Sequence, residues 1–328
     1  MKNLIATIAF CILLTSCSSK LNTIEVSEKD FLTNFDLAKG ELPEGLVIKD
    51  GIIYTGMAPT GKVYKLMPDG SKEEYGKWPS FKKDKGYIAG LTFDEDKNLY
   101  GAVVSFDKEI KPGVYVLENG QEEAKLYSTH KDLKFPNDIK ITTKGEIFLS
   151  DSVGGKIYKV LPDKSMEVWS NSKLLSGDQK ACPPSGFPLP LGINGFVIDE
   201  INNKLFAANT DRGSIVEISI KPDGSAGQER ILSGPSCKDL VGADGLFLEK
   251  NGSILAVLNK ASKIVRIEKN GAVEVLKEGG LLDNPASIEV GEINGKETSV
   301  VTNFGVLKAL KGEKPNVGIL WFDYSELK

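Results

Sequence analysis

The sequence has little of what marks several common functional classes. Among its 328 residues there is one His, so a site that needs a pair of His is excluded. The 41 Lys and Arg residues are outnumbered by 45 Asp and Glu, and they form no basic stripe, which argues against a nucleic-acid partner. Long helical periodicity is also lacking. What remains is a chain of short apolar runs and turns.

The one conspicuous apolar run lies at the N-terminus. Residues 4–14 follow Lys2 and are about 11 in number, too few to span a bilayer but suited to the core of a signal peptide. The letters LTSC at 14–17 resemble the bacterial lipobox. We therefore expect residues 1–16 to be a lipoprotein signal peptide, with the lipid on Cys17 anchoring the exported protein to the bacterial cell envelope. An ordinary signal peptide or a short membrane anchor are the alternatives.

Export changes how the remaining cysteines are interpreted. Cys11 is lost with the signal peptide and Cys17 carries the lipid, which leaves Cys182 and Cys237 in an oxidising compartment. We expect these two to form a disulfide. It would close a loop of about 56 residues and stabilise the fold by about 4 kcal/mol in the chain-entropy model. Two buried free thiols are the alternative.

The chain repeats one strand pattern six times. Each copy has a short apolar strand, a second strand that ends in Ser, Thr or Asn, an alternating third strand such as KVYKL or KIYKV, and a variable fourth. Four strands in each copy, at intervals of about 50 residues, predict an all-β fold, a six-bladed β-propeller. We expect one propeller domain over residues 41–328. Residues 17–40 would be a lipidated linker in which the segment near 23–26 adds a strand to the last blade. The copies begin at Pro43, Ile88, Pro136, Ile193, Ala243 and Pro285.

One column of the aligned copies is polar. Just inside each first strand stand Glu44, Ala89, Asn137, Asn194, Asp244 and Ala286. Inner strands of a propeller line its central channel, so these positions should converge. Converging carboxylates need a counter-ion, and carboxylate and amide oxygens are ligands for a hard cation such as Ca²⁺. Zinc or copper is not indicated, because the column has no Cys or His. Taken singly, each of the four polar residues is more typical of a turn or loop than of a metal site, and Gly195 would let the chain bend sharply after Asn194.

The ordered motifs PEG, FPNDIKI, GINGF and GADGLFLE resemble those of the gluconolactonase, regucalcin (senescence marker protein) and luciferin-regenerating-enzyme family, here in a lipoprotein form. The resemblance covers nearly the whole chain after the signal peptide. It implies that Glu44, Asn194 and Asp244 are metal ligands. Asn137 would bind the metal or a substrate beside it. It also implies lactonase or related hydrolase activity, usually with Ca²⁺.

One departure from the family concerns the substrate. Phe135 stands where sugar-lactone hydrolases carry Arg, which favours a less polar substrate. The Pro-rich segment before Asn194 would form a rim of the site, with Phe135, Phe187 and Leu189 as an apolar wall. In the alternative, this segment packs only on its own blade.

The resulting hypothesis is a metal-dependent hydrolase of a lactone or related ester. The cation would polarise the carbonyl and position water, and Asp244 is the candidate base. A ligand-binding propeller of the cell surface, with a purely structural Ca²⁺, is the main alternative. A non-hydrolytic reaction on the same scaffold is a third. Nothing indicates an oligomer.

Overall fold

In the computed structural model, which describes residues 24–82, 85–182 and 188–328, six antiparallel sheets of four strands each follow one another along the chain, and a fifth, parallel strand joins one of them. This confirms the predicted all-β, six-bladed propeller. The innermost strands begin where the sequence copies were expected to begin, except that the second one starts two residues earlier, at Gly86.

Within each blade, the four strands are given below in order from the innermost, at the channel, to the outermost. Blades 1 to 3 comprise Pro43–Lys49, Ile52–Met57, Lys62–Leu66 and Lys72–Glu74; Gly86–Phe93, Leu99–Ser105, Gly113–Leu117 and Lys125–Ser128; and Pro136–Ile141, Ile147–Asp151, Lys156–Val160 and Met166–Ser170. Blades 4 to 6 comprise Ile193–Asp199, Lys204–Asn209, Ser214–Ile220 and Ala226–Ser233; Ala243–Leu248, Ile254–Leu258, Lys263–Ile267 and Val273–Gly280; and Pro285–Ile293, Lys296–Asn303, Gly318–Asp323 and the N-terminal Phe31–Asn34.

Helix is scarce in the described part of the chain. One short α-helix, Val306–Leu310, lies in the loop between the second and third strands of blade 6. The 3-10 turns are Glu28–Asp30, Leu37–Lys39, Lys173–Leu175 and Tyr324–Leu327. No helix among these residues has both the length and the apolar character to cross a membrane.

The ring is closed by an N-terminal strand, but not by the expected one. Phe31–Asn34 pairs antiparallel with Gly318–Asp323 and is the outer strand of blade 6. Ile24–Val26, for which we predicted this role, pairs in parallel with Val273–Gly280 and adds a fifth strand to blade 5. The first strand is short, so it had no pattern that could specify its partner.

The hydrophobic core is divided among the blade interfaces. Alternating apolar residues of each sheet pack against the next sheet, and buried clusters of this kind lie between every pair of neighbouring blades. One example joins Phe206 and Ile215 of blade 4 to Leu246 and Ile254 of blade 5. Because both faces of each blade are covered, the inner strands are held firmly.

A β-bulge interrupts every inner strand at the polar column. The register shifts between Pro43 and Leu46 in blade 1, and at the equivalent place in the other five blades. A bulge leaves one residue out of the ladder and re-aims its side chain. This is how a strand that otherwise alternates can turn one chosen side chain toward the channel.

The Gly after the column residue allows close packing between neighbouring blades. A Cβ atom on Gly195 would lie 2.5 Å from the carbonyl oxygen of Asp244, and one on Gly45 would lie 2.0 Å from that of Ala89. Neither Gly has a positive φ, so a left-handed backbone is not what requires Gly at these positions, and the expected bend after Asn194 stays a prediction. These glycines let the inner strands of neighbouring blades approach each other.

Candidate functional site

The six residues of the column line one cavity of about 270 Å³ at the channel. Glu44, Asn137, Asn194 and Asp244 form its polar floor, and the two alanines leave space between them. The side chains of the last three polar residues are buried, with at most 7% exposed. The structure thus brings together the residues that the sequence predicted as metal ligands.

Hydrogen bonds fix the orientation of the Asn194 amide. Its Nδ2 donates to Oγ1 of Thr210 at 3.0 Å, while the Thr210 hydroxyl donates its own hydrogen to the carbonyl of Ala243 at 2.8 Å. A hydroxyl has one hydrogen, so Thr210 must accept from the nitrogen of the amide. The Asn194 oxygen is therefore directed away from Thr210.

The other floor residues are held in similar ways. Nδ2 of Asn137 donates to Oγ of Ser152 at 2.9 Å, and Nδ2 of Asn259 donates to Oδ2 of Asp244 at 2.8 Å. Ser152, Thr210 and Asn259 each directly follow the second strand of their blade. A second ring of side chains therefore supports the first from one layer farther out.

Two observations test whether the floor suits a cation. Oδ1 of Asn194 is buried and has no hydrogen-bond partner, which is costly unless some group binds it. No three His, Cys, Asp or Glu side chains of the described ranges converge as a metal-binding group, so carboxylates would have to share a cation with amide oxygens. This donor set fits a hard cation of the Ca²⁺ type.

Burial makes the floor carboxylates reluctant to ionise. Desolvation raises the pKa of Asp244 to about 8, opposed by the Asn259 hydrogen bond and reinforced by the charge of Asp138. Desolvation also raises the pKa of Glu44 well above its usual range, and Asp244 and Asp138 add to the effect, while Lys140 opposes it. Two buried carboxylates that lie close together each disfavour ionisation of the other. A bound cation would instead favour ionisation and lower both pKa values.

A second charged layer lies beneath the floor. Nζ of Lys140 is 3.5 Å from Oδ1 of Asp138 and 3.9 Å from Oε1 of Glu289. Asp138 is tied down by its other oxygen, which accepts from the backbone N–H of Phe196 at 3.0 Å. Burial raises the pKa of Glu289 to about 7, although Lys140 opposes the rise. The Lys140 ammonium thus partly compensates the negative charge of the channel.

The walls of the cavity are mostly apolar. Phe135 lines one side, with ring centroids 6.0 Å from Tyr87 and 6.4 Å from Phe106. Leu191 also lines the cavity. Leu189, which we predicted in this wall, does not line it. The predicted wall residue Phe187 and the lipidated Cys17 lie outside the described residues. The opposite side is formed by Phe304, Val306, Leu307 and Leu310.

The predicted disulfide is present between Cys182 and Cys237, whose Cα atoms are 5.3 Å apart. It joins the loop before blade 4 to the loop before blade 5, and these blades supply Asn194 and Asp244. The single His130 does not line the cavity. Its ring lies 5.2 Å from that of Tyr158.

Among the polar residues of the site that sequence reasoning missed are Ser152, Thr210, Asn259 and Lys260. A signal for three of them was visible, because the second strand of each copy ends in a short polar residue. Lys260 had no such signal. It lines the cavity, and only the structure places it there.

The fold and the polar channel define a propeller with a candidate small-molecule site. No family model and no curated protein matches the sequence, but solved structures share the fold. A gluconolactonase from Xanthomonas campestris is 12% identical with a TM-score of 0.62, over 89% of this chain and 87% of its own. A luciferin-regenerating enzyme is 14% identical, TM-score 0.59, over 81% and 85%. Mala s 1, the major allergen of Malassezia sympodialis, is 13% identical, TM-score 0.63, over 86% and 92%. At these identities the likeness establishes the fold alone.

Proposed function

We propose that this protein is a Ca²⁺-dependent hydrolase of a lactone or a related ester, and that Glu44, Asn137, Asn194 and Asp244 hold the cation. The observation that carries the proposal is the buried Asn194 oxygen, which has no partner and lies among the other oxygen ligands of the floor. When bound, the cation would supply positive charge for the oxyanion that develops on the carbonyl.

The protein's own groups would orient the reaction. Asp244 is our candidate general base for water, because its pKa of about 8 in the metal-free site is close to the working range of a base and a cation would lower it. Asn259 holds one oxygen of Asp244 and leaves the other for the cavity. Asn137 would bind the metal or the substrate next to it. The small Ala89 and Ala286 would leave room for water and substrate.

The walls support a substrate that is not strongly polar. Phe135 and its aromatic neighbours offer ring faces to an apolar group, and in the family that the motifs resemble, sugar-lactone hydrolases have Arg at this place. A cavity of about 270 Å³ suits a small ligand. Phe187 would extend this wall.

The main rival is a ligand-binding propeller with a purely structural Ca²⁺. One observation favours it: the floor is also an inter-blade joint. Ser150 of blade 3 donates to the carbonyl of Asn194 at 2.8 Å, and Thr302 of blade 6 donates to that of Glu44 at 2.9 Å. A cation at this joint would tie the blades together without any chemistry.

We also propose that the protein is exported and anchored by a lipid on Cys17. The disulfide supports an oxidising compartment. Labelling with a radioactive fatty acid, compared between the native chain and Cys17→Ser, tests this directly. A lipid that remains on the variant would contradict the proposal.

The function is tested with the purified protein on a panel of lactones and aryl esters, with Ca²⁺ or with chelator. The hydrolase proposal expects chelator-sensitive turnover that falls by at least about a hundredfold in Asp244→Ala and Asn194→Ala, with Asp96→Ala, an exposed carboxylate, as the matched control. Full activity and metal binding in both site variants would refute it. A chelator that lowers the melting temperature, with no turnover of any compound, would support the rival.

A further inference from the structure

Lys260 is the one cationic side chain among the described residues that line the cavity. It directly follows Asn259, so it lies on the blade 5 side, next to the residue that holds Asp244. The aromatic wall of Tyr87 and Phe135 belongs to blades 2 and 3. The cavity therefore has an ammonium on one side and ring faces on another, with the oxygen ligands below.

The ammonium is incompletely satisfied by the protein. Within the described ranges its one partner is Oδ1 of Asp211, and the distance of 3.7 Å is longer than that of a normal hydrogen bond. The other oxygen of Asp211 accepts from the backbone N–H of Leu191 at 2.9 Å. Oδ1 has no hydrogen-bond partner. An ammonium has three N–H donors, so Lys260 has donors left for a ligand.

Burial of the loosely paired Lys260 and Asp211 costs free energy unless a ligand binds the ammonium. The side chains of Lys260 and Asp211 are 15% and 1% exposed. Burial lowers the pKa of Lys260, and Asp211 only partly offsets this. A loosely paired buried ion pair is generally no more stable than an apolar pair of similar size. A neighbouring anion would give the ammonium the short hydrogen bonds that it lacks.

We propose that Lys260 binds an anionic group of the ligand, so that the substrate is an amphipathic acid whose apolar part packs on the aromatic wall and whose ester or lactone carbonyl lies over the floor. The assignment of the carbonyl rests on the proposed function. The binding of an anion by Lys260 does not, and the two are tested separately.

The binding test uses two probes of the same shape, 3-phenylpropionate and the neutral 3-phenylpropan-1-ol, measured by calorimetry on the full protein with excess Ca²⁺. We expect the carboxylate to bind at least about tenfold more tightly, the size of one charge-assisted hydrogen bond. Lys260→Met should remove this preference and leave the alcohol unaffected. Lys260→Arg should retain much of it, and Lys144→Met, at an exposed position, should change nothing.

A further variant distinguishes binding of the probe's carboxylate by Lys260 from binding of that carboxylate by Ca²⁺. Asp211→Asn keeps an acceptor for the Leu191 N–H but frees Lys260, so affinity for 3-phenylpropionate should rise severalfold. A preference that survives Lys260→Met and disappears with chelator would overturn the proposal, because the carboxylate would then bind the metal. Equal affinity for the two probes in the native protein would also overturn it.

The kinetic test compares mono-(4-nitrophenyl) glutarate with 4-nitrophenyl pentanoate, in which a methyl group replaces the free carboxylate. Lys260→Met should raise KM for the first by about tenfold or more with little change in kcat, and should leave the second unaffected. If neither these esters nor any compound of the lactone and ester panel is hydrolysed while the binding preference follows Lys260, the hydrolase proposal fails and the anion-binding proposal stands. If both esters are hydrolysed and Lys260→Met changes KM for the two equally, the hydrolase proposal stands and the anion-binding proposal fails.

Discussion

The Asn194 side chain donates its amide hydrogen to Thr210 at 3.0 Å, and Thr210 in turn donates to the carbonyl of Ala243 in the next blade. This chain fixes the direction of the amide and couples it to the strand that carries Asp244. Thr210→Val should therefore weaken Ca²⁺ binding by about tenfold, since the amide loses its acceptor and is free to turn.

A calorimetric titration of Ca²⁺ measures this effect. Thr129→Val is the matched control, because Thr129 also donates to a backbone carbonyl, that of Pro112 at 2.6 Å, but does not line the cavity. A Thr210→Val protein that is less stable yet binds Ca²⁺ with native affinity would show that the amide does not need this support.

In the absence of metal, the protein should lose stability as the pH rises from about 4 to about 8. The Asp244 carboxyl holds its proton in the folded protein up to a pKa of about 8 but loses it near 4 when unfolded. The unfolded state therefore binds fewer protons across this window, and the free energy of unfolding falls by up to about 1.4 kcal/mol for each pH unit from this group. Urea unfolding in chelator at pH 5, 6.5 and 8 measures the slope. Asp244→Asn, which cannot titrate, should make the slope shallower, with the remainder due to Glu44 and Glu289, whose pKa values are also raised; an equal slope in that variant would contradict the assignment.

Ca²⁺ should reverse this loss, and more strongly at higher pH, because binding has to displace the protons of Glu44 and Asp244. At pH 8 and a concentration a hundred times the dissociation constant, the gain should be about 2.7 kcal/mol. The melting temperature with and without Ca²⁺ at each pH checks the trend. A gain that is larger at pH 5 than at pH 8 would mean that these carboxylates are not the ligands.

Gly195→Ala should destabilise the fold by about 1–3 kcal/mol, because the added methyl group would lie 2.5 Å from the Asp244 carbonyl oxygen and force the two inner strands apart. Ser287 occupies the same position in blade 6, where a side chain is tolerated, so Ser287→Ala is the control and should cost well under half as much. Chemical unfolding compares the two variants. Similar values would indicate that the blade 4 and blade 5 contact has room to relax.

Removal of the disulfide should cost up to about 4 kcal/mol, the value for a loop of this length. The native protein in reductant and the double variant Cys182→Ala, Cys237→Ala should have the same lowered midpoint in urea, and reductant should not affect the variant. If reductant lowers the midpoint of the double variant as well, the effect has another origin.

The blades were predictable because each contains a complete local pattern of turns and alternating residues. Convergence of Glu44, Asn137, Asn194 and Asp244 could also be predicted, since equivalent positions of a repeat meet at the axis. Pairing of Cys182 with Cys237 followed from counting. In each case a simple rule connects the sequence position to a place in the ring.

Other features depend on contacts between blades, which no local pattern reports. The role of Gly195 is set by the carbonyl of Asp244, about 50 residues away in the sequence. Lys260 faces the cavity because of where blade 5 ends its second strand, and its partner Asp211 comes from blade 4. Ile24–Val26 and Phe31–Asn34 are both short, and their partners were decided by the geometry of the closed ring.

That closure has a consequence for how the protein is made. Phe31 pairs with Leu320, so the outer strand of blade 6 is synthesised before the inner strands of all six blades and its partner after blades 1 to 5. Until the final strand emerges, Phe31–Asn34 has no ladder to join, and blade 6 has an open edge that invites wrong pairing. The folding reaction must end with a contact of very high sequence separation, which is slow to form. The seam at blade 6 is therefore both the last part of the ring to assemble and the place where a truncated or stalled chain would remain unfinished.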